Sequence, residues 1–250
     1  MLSLLPIKGL PLIRPGNSIA DLIVSGAAST GIQDSDVVVI AQKIVSKAEG
    51  RQVALDSVEV SPRAAALARE TEKDPRLVEL ILRETREVIR YRPGVLIVED
   101  RRGFICANAG IDRSNVEQTD DGESVLLLPV DPDASARLIR DRIRELTGQD
   151  VGVVINDSHG RAWREGTVGV AIGLAGIPAI LDRRGDLDLT GYQLQHTVIG
   201  IADEIAAAAS LLMGPAAEGV PAVIVRGLQL PASENAARDI QRPREFDLFR

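Results

Sequence analysis

The sequence predicts a globular fold in which β-strands and α-helices share an apolar core. Five short apolar runs are typical of buried strands, at residues 37–40, 95–98, 125–128, 152–155 and 222–225. Between these runs, serine or aspartate repeatedly precedes an amphipathic segment, which is the signal of a helix N-terminus. In three cases a proline follows the capping residue, at Pro62, Pro75 and Pro132, and proline is favoured at the first helical position.

The capping signals and the apolar periodicity predict where helices begin and which faces they bury. Helices are expected to start after Ser18, Ser61, Asp74 and Asp131. In the last of them the core face is expected to contain Leu138, Ile139, Ile143 and Leu146. Asp131 and Asp133 are both expected to cap this helix, with a place close to the site as the alternative. The acidic Asp203 and Glu204 lie near the start of a further helix, where they suit its macrodipole.

Turn-forming residues predict how other segments connect. The helix that follows Asp74 is expected to end at residues 91–94, with Glu79 on a solvated face. Residues 95–98 and 104–107 are expected to pair as a hairpin around a turn at residues 100–103. Residues 229–250 are polar, contain two prolines and are expected to form a loose tail.

Glycines cluster between residues 169 and 185, and they predict a place where the backbone approaches another group closely. The residues in question are Gly169, Gly173, Gly176 and Gly185. Because glycine has no side chain, a ligand or another subunit can come close to the chain at such positions.

Composition restricts the classes of partner. The 250 residues suffice for one large domain or two small ones, and the net charge is −7. Six aromatic residues (Trp 1, Tyr 2, Phe 3) are too few for a platform on which bases stack. The chain also has no long basic run that would neutralise a phosphate backbone. We therefore expect small-molecule partners and no nucleic acid.

Cysteine usage and hydropathy predict a cytoplasmic protein. Cys106 is the only cysteine, so no intrachain disulfide forms, which fits a reducing compartment. The apolar start of the chain is interrupted by Pro6, Lys8 and Pro11. The apolar segment 205–213 is far shorter than a membrane-spanning helix. No membrane partner is expected.

The central candidate site reads C-A-N-A-G-I-D-R-S-N, from Cys106 to Asn115. It lies between an apolar segment and a polar loop at residues 117–123, and it has no hydrophobic period. A stretch of this kind turns the backbone and presents oxygen atoms. We expect Asp112 to hold a divalent metal ion and Asn115 to contact a nucleotide.

A second candidate site follows the apolar run 37–40. Lys43 and Lys47 lie four residues apart, with Gln42 and Ser46 beside them. Phosphates often bind where a buried strand ends in a fold of mixed strands and helices, and lysine is a compact charge suited to phosphate oxygens. The alternative is an exposed lysine face on a helix. The Walker A pattern is absent from the chain.

A third candidate site follows the apolar run 152–155. Asp157 and Ser158 offer a carboxylate and a hydroxyl at the expected end of that strand, where hard cations such as Mg²⁺ or Mn²⁺ share coordination with phosphates. The alternative is a turn that Asp157 caps. His159 is expected to face solvent. Arg161 and Arg164 are candidates for binding a substrate carboxylate or phosphate, with a surface cation–π cluster as the alternative.

Two aspartates and two lysines from separate strand ends are the residues that metal-assisted phosphoryl transfer requires. By residue type alone, the sequence indicates a nucleotide- and metal-dependent enzyme. The chain shows no serine–histidine–acid arrangement and no Rossmann glycine fingerprint after a strand.

Several motifs resemble the coenzyme F420-0:L-glutamate ligase family. They extend over residues 9–228 and read G-L-P-L-I, A-Q-K-I-V-S-K-A-E-G-R, K-D-P-R-L-V-E-L-I-L-R-E, C-A-N-A-G-I-D-R-S-N-V, L-L-L-P-x-D-P-D-A-S-A, N-D-S-H-G-R-A-W-R, A-D-E-I-A-A-A-A and P-A-V-I-V-R-G. The central motif and the order of the others make the resemblance specific.

The resemblance implies an α+β fold of mixed β-sheets with flanking helices, in which two intimately packed subdomains assemble as a homodimer. The catalytic domain would span residues 1–228, with 229–250 as a polar C-terminal tail. It implies a GTP-dependent ligase that adds L-glutamate to the lactyl-phosphate tail of coenzyme F420-0, then a γ-linked glutamate, through an acyl phosphate. Family enzymes use Mg²⁺ or Mn²⁺ at two sites, with K⁺.

Matching positions carry the family's functional residues onto this chain. The resemblance implies that GTP contacts Leu10, Pro11, Leu12, Ile13, Gln42, Lys43, Lys47 and Asn115, and that a turn closes over it with Met213, Gly214, Gly219 and Val220. Asp112 and Asp157 would bind the first metal ion and Ser158 the second. The turn at residues 214–216 lacks an acidic residue expected in some relatives. No residue is assigned as the catalytic base.

Two other functions agree with the same residues. One is a metal- and nucleotide-dependent ligase that acts on a different carboxylate. The other is a non-catalytic module that binds a nucleotide without turning it over.

Overall fold

The computed structural model describes residues 1–116, 122–214 and 216–249. Most of the polar loop predicted at residues 117–123, and Pro215 of the turn after Met213, lie outside the described residues. The α-helices are α1 Ile19–Gly26, α2 Gln42–Ala48, α3 Pro62–Thr71, α4 Pro75–Arg83, α5 Pro132–Thr147 and α6 Ile201–Met213. The β-strands are β1 Ser3–Ile7, β2 Val37–Ala41, β3 Gln52–Ala54, β4 Thr85–Arg92, β5 Val95–Asp100, β6 Ile105–Ala107, β7 Ser124–Leu126, β8 Gly152–Gly160, β9 Thr167–Ala175, β10 Leu181–Asp182, β11 Val198–Ile199 and β12 Ala222–Arg226.

A five-stranded sheet in the order β1-β12-β2-β8-β9 forms the centre of the fold. Among the described residues β2 and β8 are its parallel pair, with Ala41 opposite Asn156, and its other pairs are antiparallel. The mixed α+β class is therefore confirmed. Because β2 and β8 run the same way, α2 begins at the edge of the sheet where the polar half of β8 emerges.

Strand β8 is longer than predicted. The apolar run ends at Ile155, yet the strand continues through Asp157 and Ser158 to Gly160, paired with β9. The expectation that Asp157 and Ser158 lie at the end of this strand is wrong, and so is the alternative of a turn that Asp157 caps, because hairpin pairing outweighs the low β-propensity of these residues. Both residues instead have fixed positions on a strand.

A bulge in β9 explains why two of the clustered glycines lie against opposite faces of the sheet. Ile155 pairs with Gly173 and Asn156 with Ala171, so Ile172 is an extra residue that reverses the alternation of the faces. A Cβ on Gly169 would lie 2.7 Å from the Ala206 carbonyl oxygen of α6. A Cβ on Gly173 would lie 2.5 Å from the Pro132 carbonyl oxygen of α5. The close approach at these two positions is therefore to helices on opposite faces of the sheet.

The two faces of the central sheet bury separate apolar cores. One contains α1, α2 and α5, and the other contains α6. In α5, Ile139 and Ile143 are buried as predicted. The same prediction is wrong for Leu138, which is 72% exposed, and for Leu146, which is 39% exposed. Leu138 lies about 100° around the helix from Ile139, beyond the stripe that the sheet covers.

A third core lies apart from the central sheet, among α3, α4, the sheet β4-β5-β6 and the pair β3-β7. The predicted hairpin is present, with Val98 opposite Cys106. The prediction of a long helix after Asp74 is wrong, because α4 ends at Arg83 and residues 85–92 form β4 against β5. Glu79 is 9% exposed, and it accepts hydrogen bonds from Ser61 and Arg83 instead of facing solvent.

The start of the chain forms a strand that the sequence reading did not identify. β1 lies at the edge of the central sheet and pairs antiparallel with β12. Pro6, which cannot donate to a sheet ladder, is exposed within this edge strand. No helix in the described part of the chain has the length and hydropathy needed to cross a membrane.

The C-terminal segment is not loose around Ala237. Ala237 is 1% exposed and belongs to the core beneath α6. Its N–H donates to Asp133 Oδ1 at 2.8 Å, and the N–H of Leu174 donates to the same oxygen at 2.9 Å. The interpretation of Asp133 as a helix cap is therefore wrong, whereas Asp131 does cap α5. Burial raises the pKa of Asp133 despite these two hydrogen bonds.

Asp133→Ala is expected to destabilise the chain by about 1–3 kcal/mol, because the N–H groups of Leu174 and Ala237 lose their acceptor. Urea denaturation followed by circular dichroism measures this free energy. Asp133→Asn is the matched control, since its amide keeps an oxygen at the same place. Equal stability of the alanine and asparagine variants would contradict the role given to this oxygen.

Candidate functional site

The predicted lysines and the central stretch lie together. Lys43 Nζ is 2.8 Å from Asp112 Oδ2 and donates to Ser114 Oγ at 2.5 Å. Lys47 Nζ donates to the carbonyl oxygen of Asn115 at 2.7 Å. Both lysines are in α2, which starts directly after β2. The alternative of a solvated lysine face is therefore wrong, because both ammonium groups are directed at the central stretch.

Asp112 is fixed by its backbone and by its side chain. Its backbone forms two hydrogen bonds with Leu126, of 3.0 and 2.8 Å. Its Oδ1 accepts from the backbone N–H and the hydroxyl of Ser114, at 2.7 and 2.8 Å. Burial would raise the pKa of Asp112, but the hydrogen bonds from Lys43 and Ser114 outweigh it and lower the pKa below its ordinary value. The carboxylate is therefore ionised at neutral pH. The sequence reading quoted Ser114 within its motif but gave it no role.

Asn115 connects the central stretch to the loop after α6. Its Nδ2 donates to the carbonyl oxygen of Ala216 at 3.1 Å. At the two ends of this loop, Met213 and Val220 are buried, while Gly214 and Gly219 have positive φ angles of 67° and 66°.

The sequence reading missed Glu218 in the same loop. Glu218 Oε2 accepts from the backbone N–H of Ala216 at 2.8 Å. The loop therefore contains a carboxylate two residues after the turn at residues 214–216, where some relatives are expected to have an acidic residue.

Asp157 is paired with His159 on β8. His159 Nε2 lies 3.0 Å from Asp157 Oδ2, and both side chains are largely buried. The ring of Phe104 meets the imidazole edge-on at a centroid distance of 6.4 Å. The expectation that His159 faces solvent is wrong, because β8 continues under neighbouring elements. Ser158, between them on the strand, is exposed.

Cys106 indicates how Asp157 lies relative to the central stretch. Burial raises the pKa of the Cys106 thiol strongly, and the negative charges of Asp100 and Asp157 add to this effect. Strands β6 and β8 also contact each other, so the strand that bears Asp157 lies beside β6, from which the chain turns toward Asp112.

The oxygen atoms of Asp112, Asp157 and Ser158 fit the ligand preference of a hard divalent cation. Within residues 1–116, 122–214 and 216–249, no three His, Cys, Asp or Glu side chains are arranged as a metal-binding group. Sites that use one or two carboxylates and complete the coordination with phosphate oxygens and water are typical of Mg²⁺. In this structure Asp112 is bound to the Lys43 ammonium.

The remaining predicted nucleotide contacts differ in exposure. Gln42 is 2% exposed; its Oε1 accepts from Ser46 Oγ at 2.9 Å, and its Nε2 has no partner among the described residues. Ile13 and Leu10 pack into the core beside α1, whereas Pro11 and Leu12 are exposed.

Arg161 and Arg164 lie in the exposed turn between β8 and β9. Arg161 Nη1 donates to the carbonyl oxygen of Gly166 at 3.2 Å. Trp163 between them contacts the ring of Phe249 at a centroid distance of 6.1 Å. A role for the two arginines in binding substrate stays a prediction.

The fold and the site define a class: an α+β protein in which lysines, a carboxylate and an amide converge where the parallel strands of a mixed sheet end. The chain matches the F420-0:gamma-glutamyl ligase family over residues 8–227 and therefore belongs to it. It is thus an enzyme of the ligase class.

The chain is similar to curated relatives over nearly their whole length. The chain is 49% identical to the coenzyme F420:L-glutamate ligase of Methanothermobacter thermautotrophicus, covering 100% of this chain and 99% of the relative. It is 49% identical to the protein of that name from Methanopyrus kandleri, covering 98% of each. For the Archaeoglobus fulgidus protein of that name the identity is 46%, covering 98% of this chain and 95% of the relative.

Cys106 is expected to resist a thiol reagent such as dithionitrobenzoate at pH 8 in the folded protein. It is 5% exposed and its pKa is raised, and the thiolate is the reactive form. Since it is the only cysteine, absorbance reports this thiol alone. The chain unfolded in urea is the control, and it should react at the rate of a free thiol. A native rate equal to the unfolded rate would contradict the placement of Cys106.

Proposed function

We propose that this chain is a GTP-dependent ligase that joins L-glutamate to the carboxylate of the lactyl-phosphate tail of coenzyme F420-0. Membership of the F420-0:gamma-glutamyl ligase family, and the name that its relatives carry, support the acceptor and the donor. One observation carries the nucleotide assignment: Lys43, Lys47, Asp112 and Asn115 converge where β2 meets α2.

The proposed reaction has two steps. A carboxylate oxygen of F420-0 attacks the γ-phosphorus of GTP, the bond from that phosphorus to the bridging oxygen breaks, and GDP leaves. The amino group of glutamate then attacks the acyl carbon of the acyl phosphate. A C–N bond forms, the C–O bond to phosphate breaks, inorganic phosphate leaves with the electron pair, and the nitrogen loses its extra proton. A second glutamate would be added through a γ-linkage by the same chemistry.

The side chains of this chain have distinct roles in the proposal. Lys43 and Lys47 hold phosphate oxygens as point charges and offset the charge that develops during phosphoryl transfer. Asn115 contacts the nucleotide and, through Ala216, holds the loop after α6 against it. Gln42 offers its side-chain N–H₂ group to the nucleotide, since this group has no partner among the described residues.

Asp112, Asp157 and Ser158 would hold two Mg²⁺ or Mn²⁺ ions, which when bound neutralise phosphate charge. The Lys43 ammonium would then turn from Asp112 to phosphate oxygens. The monovalent K⁺ rests on the family resemblance alone.

We also propose that the enzyme is a homodimer. Support comes from the segment that joins β10 to β11, which exposes large apolar side chains that a second copy would cover. They are Leu187, Leu189 and Tyr192, with exposures of 68%, 107% and 59%. The separate core among α3, α4 and β5 is consistent with a two-subdomain arrangement.

The reaction is tested by measuring GDP and phosphate release in the presence of Mn²⁺, with and without F420-0 and L-glutamate, and by mass spectrometry of the product. The proposal predicts release only with both substrates, and a product heavier by glutamyl units. Coupled release with another acid, but not with F420-0, would identify a ligase for a different carboxylate. Saturable GTP binding without release under any combination would identify a binding module.

Lys47→Ala is expected to raise the KM for GTP by about 10- to 100-fold, because a hydrogen bond to a charged group contributes roughly 1.5–3 kcal/mol. Initial rates at varied GTP concentration measure this change. Arg63→Ala, at an exposed position in α3, is the control for loss of a positive charge. Unchanged GTP kinetics in the Lys47 variant would remove this lysine from the nucleotide site.

A further inference from the structure

A second cleft opens beside Asp112, and the nucleotide contacts proposed above do not use it. Its volume is about 450 Å³, which is within the roughly 300–1,000 Å³ of small-molecule sites. Lys73, from the junction of α3 and α4, and Asn108, Asp112 and Arg113, from the central stretch, line it together with the apolar side chain of Ile111. Asp112 is shared with the lysine cluster, so the cleft adjoins the proposed phosphate site.

Two positively charged side chains, Lys73 and Arg113, line this cleft. Lys73 forms no ion pair with any carboxylate of residues 1–116, 122–214 or 216–249, and burial, followed by the positive charge of Arg113, lowers its pKa. Arg113 pairs with Glu123 at 3.0 Å, but both side chains are 43% exposed, so the pair is weak and exchangeable.

Two of the three carboxylates that line the cleft are already engaged, and the third belongs to the exposed Glu72. Asp74 accepts from the side chain of Arg76 at 2.7 Å and caps α4, and Asp112 is bound to Lys43 at 2.8 Å. Two cations held close together in a partly buried cleft favour the binding of an anion.

Asn108 adds a requirement for a hydrogen-bond donor. Its side-chain Oδ1 is buried and has no partner among the described residues. An acceptor left in this state is unfavourable, and a ligand N–H would satisfy it. Asn108 and Ala109 have positive φ angles of 55° and 53°, a conformation that costs energy for residues with a side chain. A phosphate group has no N–H, so a purely phosphate ligand would leave Asn108 unsatisfied.

We propose that this cleft binds the incoming amino acid, with Lys73 and Arg113 contacting its two carboxylates and Asn108 Oδ1 accepting from its amino group. The proposal rests on the proposed function, since it assigns a site to the dicarboxylic substrate of that reaction. Because Asp112 forms a wall of both sites, an amino group near Asn108 and Asp112 lies beside the place where the acyl phosphate would form. Two cations would also favour a ligand with a second carboxylate over one with a neutral amide.

Lys73→Met tests the proposal through the KM values of all three substrates. The KM for L-glutamate is expected to rise about 10- to 100-fold. The KM values for GTP and F420-0 should stay within about twofold of wild type, because only glutamate loses a contact. The rate ratio of L-glutamate to L-glutamine should fall in the same variant. Lys73→Arg, which keeps the charge, should recover most of the affinity for glutamate.

Arg69→Met is the matched control, because this exposed arginine lies on α3 just before the cleft. It should leave all three KM values unchanged. An unchanged KM for glutamate in Lys73→Met would overturn the proposal. A larger rise in the KM for GTP or F420-0 would overturn it as well, and would assign the cleft to a phosphate group of that substrate.

Direct binding separates failure of this proposal from failure of the proposed function. Saturation-transfer NMR with L-glutamate is recorded on the wild type, Lys73→Met and Arg69→Met. If the wild type shows no GTP-dependent glutamylation, the proposed function fails. Glutamate binding that is present in the wild type and Arg69→Met but lost in Lys73→Met would still support the cleft. Equal signals in all three proteins, or no signal with the wild type, would then overturn it.

Discussion

The parallel pairing of β2 with β8 is the constraint on which the site depends. Its register sets Ala41 beside Asn156, so the first turn of α2 and the carboxylate of Asp157 emerge at one edge of the sheet. If β8 ran in the opposite direction, its polar half would emerge at the other edge, about 15 Å away for a five-residue strand. Strand β12, antiparallel to β2 on its other side, contributes to this edge the loop that precedes Ala222.

Helix α6 connects the hairpin of β8 and β9 to the loop that contacts Asn115. The bulge in β9 leaves the N–H of Ala171 to donate to Asp203 Oδ1 at 2.9 Å, and burial raises the pKa of that carboxyl group. Asn156 Nδ2 donates to Ser210 Oγ of the same helix at 3.0 Å. The helix is thus bonded to both strands of the hairpin, and the loop that follows it reaches Asn115. A displacement of α6 would therefore move the loop and the strand bearing Asp157 together.

Local signals predicted much of this structure, and tertiary contacts decided the rest. The caps at Ser18 and Asp131 depend on backbone N–H groups only three positions away, and β2 is recognised from its own apolar run. The sequence was therefore sufficient to predict these elements. The motif positions of the site also predicted that Lys43 and Asp112 would belong to one site, but not that they would form an ion pair. In contrast, Asp133 binds two N–H groups 41 and 104 residues away, and nothing in its neighbourhood indicates either partner.

The single tryptophan has a consequence for optical experiments. Trp163 is 85% exposed at the turn between β8 and β9, with the ring of Phe249 beside it. Its indole is already hydrated in the folded chain, so its emission carries little information on whether the apolar cores are intact. The same fluorophore lies at the tip of the hairpin whose first strand contains Asp157. Intrinsic fluorescence of this protein is therefore a local reporter of the hairpin tip and the C-terminus, and the global state of the fold has to be read from the backbone signal.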